Sequence, residues 1–387
     1  MYWRKIQGGV LTMLQFRVRF AFVALMVSLV LVSGCGHKQS ARHVVTIGAI
    51  LPLTGEAAKY GTSSKNGIDL AVSEINKAGG VHSNKLVVIY EDDQATPAKG
   101  VSAFQKLATV DKVPAIIGAM ASSVTLAVAP IANKEKVVLL SPMSSNPKIT
   151  ESGDYVFRNC VSDLLEGSDM AKCAFQRLKL RRVAILYINN DYGVGLRDVF
   201  RKTYTEQGGQ VVAAEGFAQG ATDFRSQLSK IRATSPDAVY LVGYNEMIQV
   251  FKQARQLGMH AQFLSTIMLN DPDLVKKTEG ASEGAILTAW AYDPQSKDKA
   301  MRGFVEAYKN RYGTEPDVFA AQAYDATKLI AKAMNDSGVG PDNIMKSLYS
   351  IKSYPGASGT TTFDRNGDVV KPLRFLQVSN GAFIPVK

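Results

Sequence analysis

From His43 to Thr266 the chain alternates short apolar runs with amphipathic stretches of helical period, and this rhythm narrows the available folds more than any other feature. His43 to Leu51 reads as a strand through Val44, Val45, Ile47 and Ile50. Gly61 to Ala78 reads as a helix with Ile68, Ala71, Val72 and Ile75 on one face, stopped by Gly79-Gly80. Strand 85–90, a helix over 97–110 opened by Pro97, strand 113–117, helix 122–134 and strand 137–140 follow. The second half repeats the pattern, with helices at 163–178, 193–207, 223–233 and 245–257 and strands at 182–188, 210–217, 237–242 and 261–266. Such alternation predicts an α/β fold of parallel sheets covered on both faces. After strand 284–290 come two long helices, 297–312 and 317–334, and a hairpin-like tail turning at Asp364-Arg365-Asn366-Gly367-Asp368. That turn lacks the Glu a calcium loop needs at its twelfth place, where Phe375 stands, so it reads as Asn-Gly turn chemistry.

The leader comes before any argument about the fold. Residues 1–32 carry Arg4, Lys5, Arg17 and Arg19 and no acid, and Phe20 to Val32 form an apolar run of 13 residues. That run is short for a permanent membrane helix and suits a signal peptide. Val32-Ser33-Gly34-Cys35 looks like a bacterial lipobox, in which small residues admit the peptidase and the Cys35 thiol accepts lipid. The expected layout is a signal peptide over 1–34 and a polar tether over 35–42. Lipid chains on Cys35 would hold the protein on a membrane while the folded part stays in water.

Cleavage would leave about 350 residues, enough for two lobes. Removing the four basic residues of the leader from the formal net charge of +11 leaves +7. The longest basic cluster, Lys179-Leu180-Arg181-Arg182, has no interleaved aromatics, so nucleic acid is not an expected partner. The four histidines are scattered without metal spacing, and no metal site or cofactor is expected. Cys160 and Cys173 remain after processing. In an oxidising compartment they can pair, and two buried free thiols are the alternative.

Two stretches imitate catalytic motifs. Gly280-Ala281-Ser282-Glu283-Gly284 matches G-x-S-x-G, but a nucleophile elbow follows a strand and opens a helix, and here the order is reversed. No His lies beyond His260 to act as its base. Tyr192-Gly193-Val194-Gly195 starts like a dinucleotide fingerprint, but Asp198 stands where the third Gly belongs. What remains is a strand-to-helix turn that sets Tyr192 beside a helix N-terminus. An enzyme is therefore not expected.

Ser122-Ser123 and Ser144-Ser145 each follow an apolar run that reads as a strand. Ligands of open α/β sheets sit beyond the carboxyl ends of strands, and a helix starting at Ser122 offers free N–H groups to an anion. Each serine alone also reads as a cap or a turn hydroxyl. Ile47-Gly48 to Thr54-Gly55, Tyr60-Gly61, Asn66-Gly67 and Ile75 to Val81 resemble the opening of the leucine/isoleucine/valine-binding protein family. Gly118 to Ser123, Ser141-Pro142 to Asn146-Pro147, Phe157-Arg158, Asp191-Tyr192-Gly193 and Gln253 to Gly258 continue the likeness, which runs from about His43 to the C-terminus.

The resemblance implies a type I periplasmic binding protein: two doubly wound parallel-sheet lobes joined by a three-stranded hinge. The first lobe would take 43–160 and 292–366, and the second 161–291 and 367–387. It implies an extracytoplasmic receptor on the periplasmic face of a bacterial membrane. The receptor would bind a small molecule, such as an amino acid or small carboxylic acid, and deliver it to an ABC permease and its ATPases. A sensor passing occupancy to a membrane receptor is the alternative. By the same likeness, Ser122 and Ser145 would hold the ligand's carboxylate, with Ala121 beside them. The Met143 carbonyl would take part in holding the amine, and Tyr60, Tyr192 and Tyr244 would line the cleft. The pattern breaks at one place. Amino-acid members carry an acid after the strand at 261–266, and Ile267 stands there. An ammonium without a carboxylate is costly to bury. Either the ligand lacks an α-amine, or Asp271 or Glu246 substitutes, or the register is shifted. The first is the expectation adopted.

Overall fold

The computed structural model describes residues 44–386. The leader, Cys35 and the tether lie outside the described residues. Among the described residues, no helix is long and apolar enough to cross a membrane.

Five parallel strands make the first sheet, in the order β2-β1-β3-β4-β5. They are β1 (Val44–Leu51), β2 (Lys85–Asp92), β3 (Ala115–Ile117), β4 (Val138–Ser141) and β5 (Val156–Arg158). β3 and β4 are buried along their whole length, as expected of strands covered on both faces. Helices α1 (Ala58–Lys77), α2 (Pro97–Gln105) and α3 (Ser122–Glu135) connect them. α10 (Val318–Ser337) returns from far along the chain to lie against α1. The approach is close at Gly67, where a Cβ would stand 2.1 Å from the Ala320 carbonyl oxygen.

The second sheet has seven strands, in the order β14-β13-β10-β9-β8-β6-β7. β6 (Arg182–Ile188), β7 (Gln210–Phe217), β8 (Ala238–Val242), β9 (Gln262–Ser265) and β10 (Ile286–Ala289) run parallel. β13 (Arg374–Ser379) and β14 (Ala382–Pro385) extend it antiparallel. Helices α4 (Asp163–Lys172), α5 (Asp191–Glu206), α6 (Arg225–Ala233), α7 (Met247–Gln256) and α8 (Pro272–Lys277) belong to this lobe. Between β10 and α10 lies α9 (Lys299–Tyr312), and α11 (Pro341–Ser350) and the short pair β11 (Tyr354–Gly356) and β12 (Gly359–Thr361) come after α10. The chain passes between the sheets three times, near 159–162, 290–298 and 370–373.

Several details differ from the sequence reading. The last crossing falls after 369 rather than at 366–367, because the turn stays with the first lobe: Phe363 bridges Val369, and Asp368 pairs with Arg158. The β13–β14 hairpin was not foreseen, although Asn380 and Gly381 at its tip have φ of 51° and 72°, as a two-residue primed turn requires. Helix 163–178 ends as α4 at Lys172 and loosens into a π turn over Cys173–Arg177. Cys160 and Cys173 are both free and buried, so the pairing considered above is not made. A ten-residue helix stands between them and separates its ends by about 15 Å, far beyond the ~7 Å Cα limit of a disulfide. The Cys160 thiol instead lies 3.4 Å from the Ser144 carbonyl oxygen.

Candidate functional site

Two residue pairs set the mouth of the site. Tyr60-Gly61 lies in the first turns of α1, and Tyr192-Gly193 opens α5. A Cβ on Gly61 would stand 2.0 Å from the Pro52 carbonyl oxygen, and one on Gly193 would stand 1.9 Å from that of Ile188. Each glycine lets its helix press against the end of the preceding strand, and each neighbouring tyrosine is thereby turned into the space between the lobes. Tyr192 stacks on Tyr244 with ring centroids 5.4 Å apart and planes 10° from parallel. Tyr60 packs on Phe319 at 4.7 Å. The two tyrosine hydroxyls are already engaged: Tyr60 donates to Asn245 Oδ1 at 3.1 Å and Tyr192 to Thr266 Oγ1 at 2.9 Å. Their faces, not their tips, serve as walls.

The serines divide into two kinds. Ser144 is structural: its hydroxyl contacts the Ala119 carbonyl at 2.9 Å and Thr125 Oγ1 at 2.7 Å. Ser122 and Ser145 face a cavity between the lobes that is partly open to solvent and lined almost wholly by apolar side chains. Ser122 is not the N-cap of α3. That place belongs to Ala121, in extended backbone, and the Ser122 hydroxyl caps nothing. The Ser122 oxygen accepts from the Asn146 backbone N–H at 3.2 Å, which leaves its own hydrogen to donate. The Ser144–Asn146 turn is held by fully buried Arg158, whose Nη1 reaches the carbonyls of Ser145 and Asn146 at 2.9 Å each.

The structure brings together every cleft residue expected above. Tyr60, Ala121, Ser122, Met143, Ser145, Tyr192 and Tyr244 all line this cavity, and so does Ile267. Neither Asp271 nor Glu246 does. Asp271 caps α8 and pairs with Lys59 across the lobes at 2.6 Å. Glu246 accepts from the N–H groups of Gly220 and Tyr244. Among the lining residues none is charged. The sequence reading missed Met120, Met268, Trp290 and Phe319. Trp290 was visible only as the point where the strand–helix rhythm breaks.

It also missed Glu166, which lies behind the second-lobe wall. Its Oε1 accepts from the Ile267 N–H at 2.9 Å and from Thr288 Oγ1 at 2.5 Å, and its Oε2 from Trp290 Nε1 at 3.1 Å. Burial pushes its carboxyl above the usual range, and these three donors pull the other way. Among the described residues no cluster of His, Cys, Asp and Glu has the makings of a metal site. The Ser282 hydroxyl is buried on Thr278 at 2.8 Å and does not line this cavity.

Two α/β lobes joined by three crossings, with an apolar cavity between them rimmed by two hydroxyls, define a two-lobed ligand-binding protein. The periplasmic binding protein family matches residues 44–382, and the chain belongs to it. Within that family it groups with the substrate-binding proteins of branched-chain amino acid ABC transport. The leucine-, isoleucine-, valine-, threonine- and alanine-binding protein of Pseudomonas aeruginosa is 29% identical over 342 residues, covering 87% of this chain and 90% of that one. A leucine-binding protein of Thermotoga maritima is similar in structure, with a TM-score of 0.83 at 33% identity, covering 89% of this chain and 98% of that one. A branched-chain amino acid transporter substrate-binding protein of Streptococcus pneumoniae, solved with isoleucine, gives 0.81 at 29%, covering 88% and 98%.

Proposed function

We propose that this protein is a lipid-anchored extracytoplasmic receptor that binds a small carboxylic acid with an apolar tail and delivers it to an ABC permease and its ATPases. Cys35 would carry the lipid. The Ser122 and Ser145 hydroxyls and the N-terminus of α3 would hold the carboxylate, with Ala121 and Met143 beside them. Tyr60, Tyr192 and Tyr244 would enclose the tail. Ligand bridging both lobes shifts the population to the closed form, whose surface docks on the permease.

The observation that carries this reading is the polarity of the cavity: hydroxyls on the first lobe and no charged residue in the lining, with Ile267 in it at the place to which the family likeness assigns an acid. The named relatives bind amino acids, so the test must set an amino acid against its deaminated counterpart. Thermal unfolding of protein stripped of carried-over ligand would compare leucine, isoleucine and valine with their 2-oxo acids and with benzoate. A ligand at a hundred times its dissociation constant adds about 2.7 kcal/mol to stability. A shift with acids lacking the amine supports the reading. A shift with leucine and none with its 2-oxo acid would defeat it and return the protein to the amino-acid binders.

A further inference from the structure

Asp163 and Glu166, on the first turn of α4, are both fully buried beneath the cavity, and their circumstances differ. Glu166 has three donors. Asp163 has no well-formed hydrogen bond at either carboxyl oxygen. The Ser145 hydroxyl lies close enough to stabilise its charge, and Ser145 is also tied to Asp163 through the backbone, the Asp163 N–H meeting the Ser145 carbonyl at 2.8 Å. The other titratable groups around Asp163 are Glu166 on its own helix, Arg158 at the end of β5, Cys160 from the first crossing, and Tyr192, Tyr240 and Tyr244 from the second lobe. Arg158, the one cation among these, is spent on Asp368 in a two-pronged pair at 2.7 Å.

Two carboxyls in one dry pocket resist ionising together. Glu166, with its donors, is the better place for the charge, which leaves the proton to Asp163. Burial and Glu166 both push the Asp163 carboxyl well above its usual range. A protonated carboxyl must donate, and the Ser145 oxygen is the acceptor beside it. We propose that Asp163 is a positioning residue for the carboxylate cradle: its proton is donated to the Ser145 oxygen, which turns the Ser145 hydrogen into the cavity. Ser145 then matches Ser122, whose oxygen is occupied by the Asn146 N–H. Both hydroxyls become pure donors toward the ligand. Ionised, Asp163 would instead take the Ser145 hydrogen and set a negative charge behind the incoming carboxylate. Ligand binding is thus linked to one proton held outside the cavity lining. This rests on the cradle reading of Ser122 and Ser145 given above.

Two measurements test it. An infrared difference spectrum between the wild type and Asp163→Asn at pH 7 should contain the C=O stretch of a protonated carboxyl. Its absence overturns the proposal. Calorimetric titration with 4-methyl-2-oxopentanoate and with benzoate from pH 6 to 10 gives the second. Wild-type affinity should hold at low pH and fall by about tenfold per pH unit once Asp163 titrates. Asp163→Asn, whose amide still donates to Ser145, should keep the low-pH affinity without the fall. Asp163→Val, which cannot donate, should bind at least tenfold more weakly throughout. Binding that falls with pH equally in Asp163→Asn, or that is unweakened in Asp163→Val, overturns the role of Asp163 alone. No binding of either acid, by any of the three proteins at any pH, defeats the cradle reading and the proposal with it.

Discussion

The two walls of the cavity are each braced by one fully buried ionisable side chain, basic in the first wall and acidic in the second. Arg158 braces the first-lobe wall, with Asp368 gripping it at Nε and Nη2 and its remaining hydrogens on Thr150 and the Ser145 and Asn146 carbonyls. Glu166 braces the second-lobe wall with no cation at all, only a backbone N–H, a hydroxyl and an indole N–H. The first brace has its counter-ion, so the desolvation of its charge is offset in place. The second depends on neutral donors and sits beside another acid, so its charged form is less secure. The difference suits the work of the two walls. One must present hydroxyls at fixed positions; the other need only offer an apolar surface of the right shape.

Breaking the first brace should have the largest effect. Arg158→Met leaves Asp368 buried without its partner and frees the serine turn, at a cost of about 3–5 kcal/mol in denaturant unfolding. Binding of whichever acid stabilises the wild type should vanish with it. Retained affinity would mean the turn keeps its shape without Arg158. Removing a cradle hydroxyl alone should spare the fold: Ser122→Ala and Ser145→Ala should each weaken binding by about ten- to a hundredfold, as expected for hydrogen bonds to a charged group. Calorimetry on both variants would check this, and loss from only one would show the two hydroxyls sharing the carboxylate unequally.

The second brace should be softer. Glu166→Gln keeps an acceptor for Ile267 and Thr288 but turns an amide toward the Trp290 N–H, at a cost of about 1–3 kcal/mol. Its pH dependence should be the reverse of a salt-bridged acid. Burial raises the folded pKa of Glu166, so its contribution to stability is fully present below the unfolded value near 4.3 and is lost as pH rises through the folded value. Unfolding curves of wild type and Glu166→Gln should therefore converge as the pH rises from about 4. Divergence in that direction would show Glu166 to be charged more easily than its burial allows.

The same contrast explains what was legible in the sequence. The first-lobe wall is made by short-range chemistry: a serine just inside a helix start, a serine in a Pro-bounded turn, a tyrosine followed by glycine. Each of those patterns spans only a few residues, so the stretches holding Tyr60, Ser122 and Ser145, and the Tyr192-Gly193 turn of the second lobe, stood out in the sequence, although it was the likeness to the binding-protein family that gave them a role in the cleft. The strand–helix rhythm was legible for the same reason. The second-lobe wall is made by contacts between residues far apart in the chain. Glu166 reads locally as an acid in the first turn of a helix, where acids favour the dipole. Nothing near it announces that Ile267 and Trp290 will donate to it. Trp290 and Phe319 likewise join the cavity only when the crossings and α10 fold back, which no local period encodes.

Contacts between the walls should matter less than the braces. Lys59 reaches Asp271 at 2.6 Å and Asp273 at 3.2 Å from the opposite lobe. Its partial burial works to lower its pKa, but the paired carboxylates outweigh this and raise it. The contact is therefore fully present below the unfolded lysine value near 10.4 and lost only as pH rises through the folded one. Lys59 is 37% exposed, so solvent and salt screen the pair, and Lys59→Ala should cost under about 1 kcal/mol of closure. Ligand affinity should fall by less than about fivefold, and less still at high salt. A larger loss would make this latch, and not the ligand's own bridging, the main hold on the closed form.

The two thiols should contribute no measurable effect at all. Cys160 lies where the first crossing enters α4, between the two braces, and Cys173 lies at the far end of that helix. Burial pushes the Cys160 thiol up to about 12, so almost none is thiolate at neutral pH, and burial raises Cys173 as well. Both should be inert to a thiol reagent until the protein unfolds, and the unfolding temperature should be the same with and without reductant. A fall on reduction would require the ends of α4 to meet. That means unwinding the helix whose first turn carries Asp163 and Glu166, so the second wall would lose its brace in the oxidised protein and ligand binding would fall with it. Measuring affinity in both redox states therefore separates an intact α4 from an unwound one, with equal affinities expected.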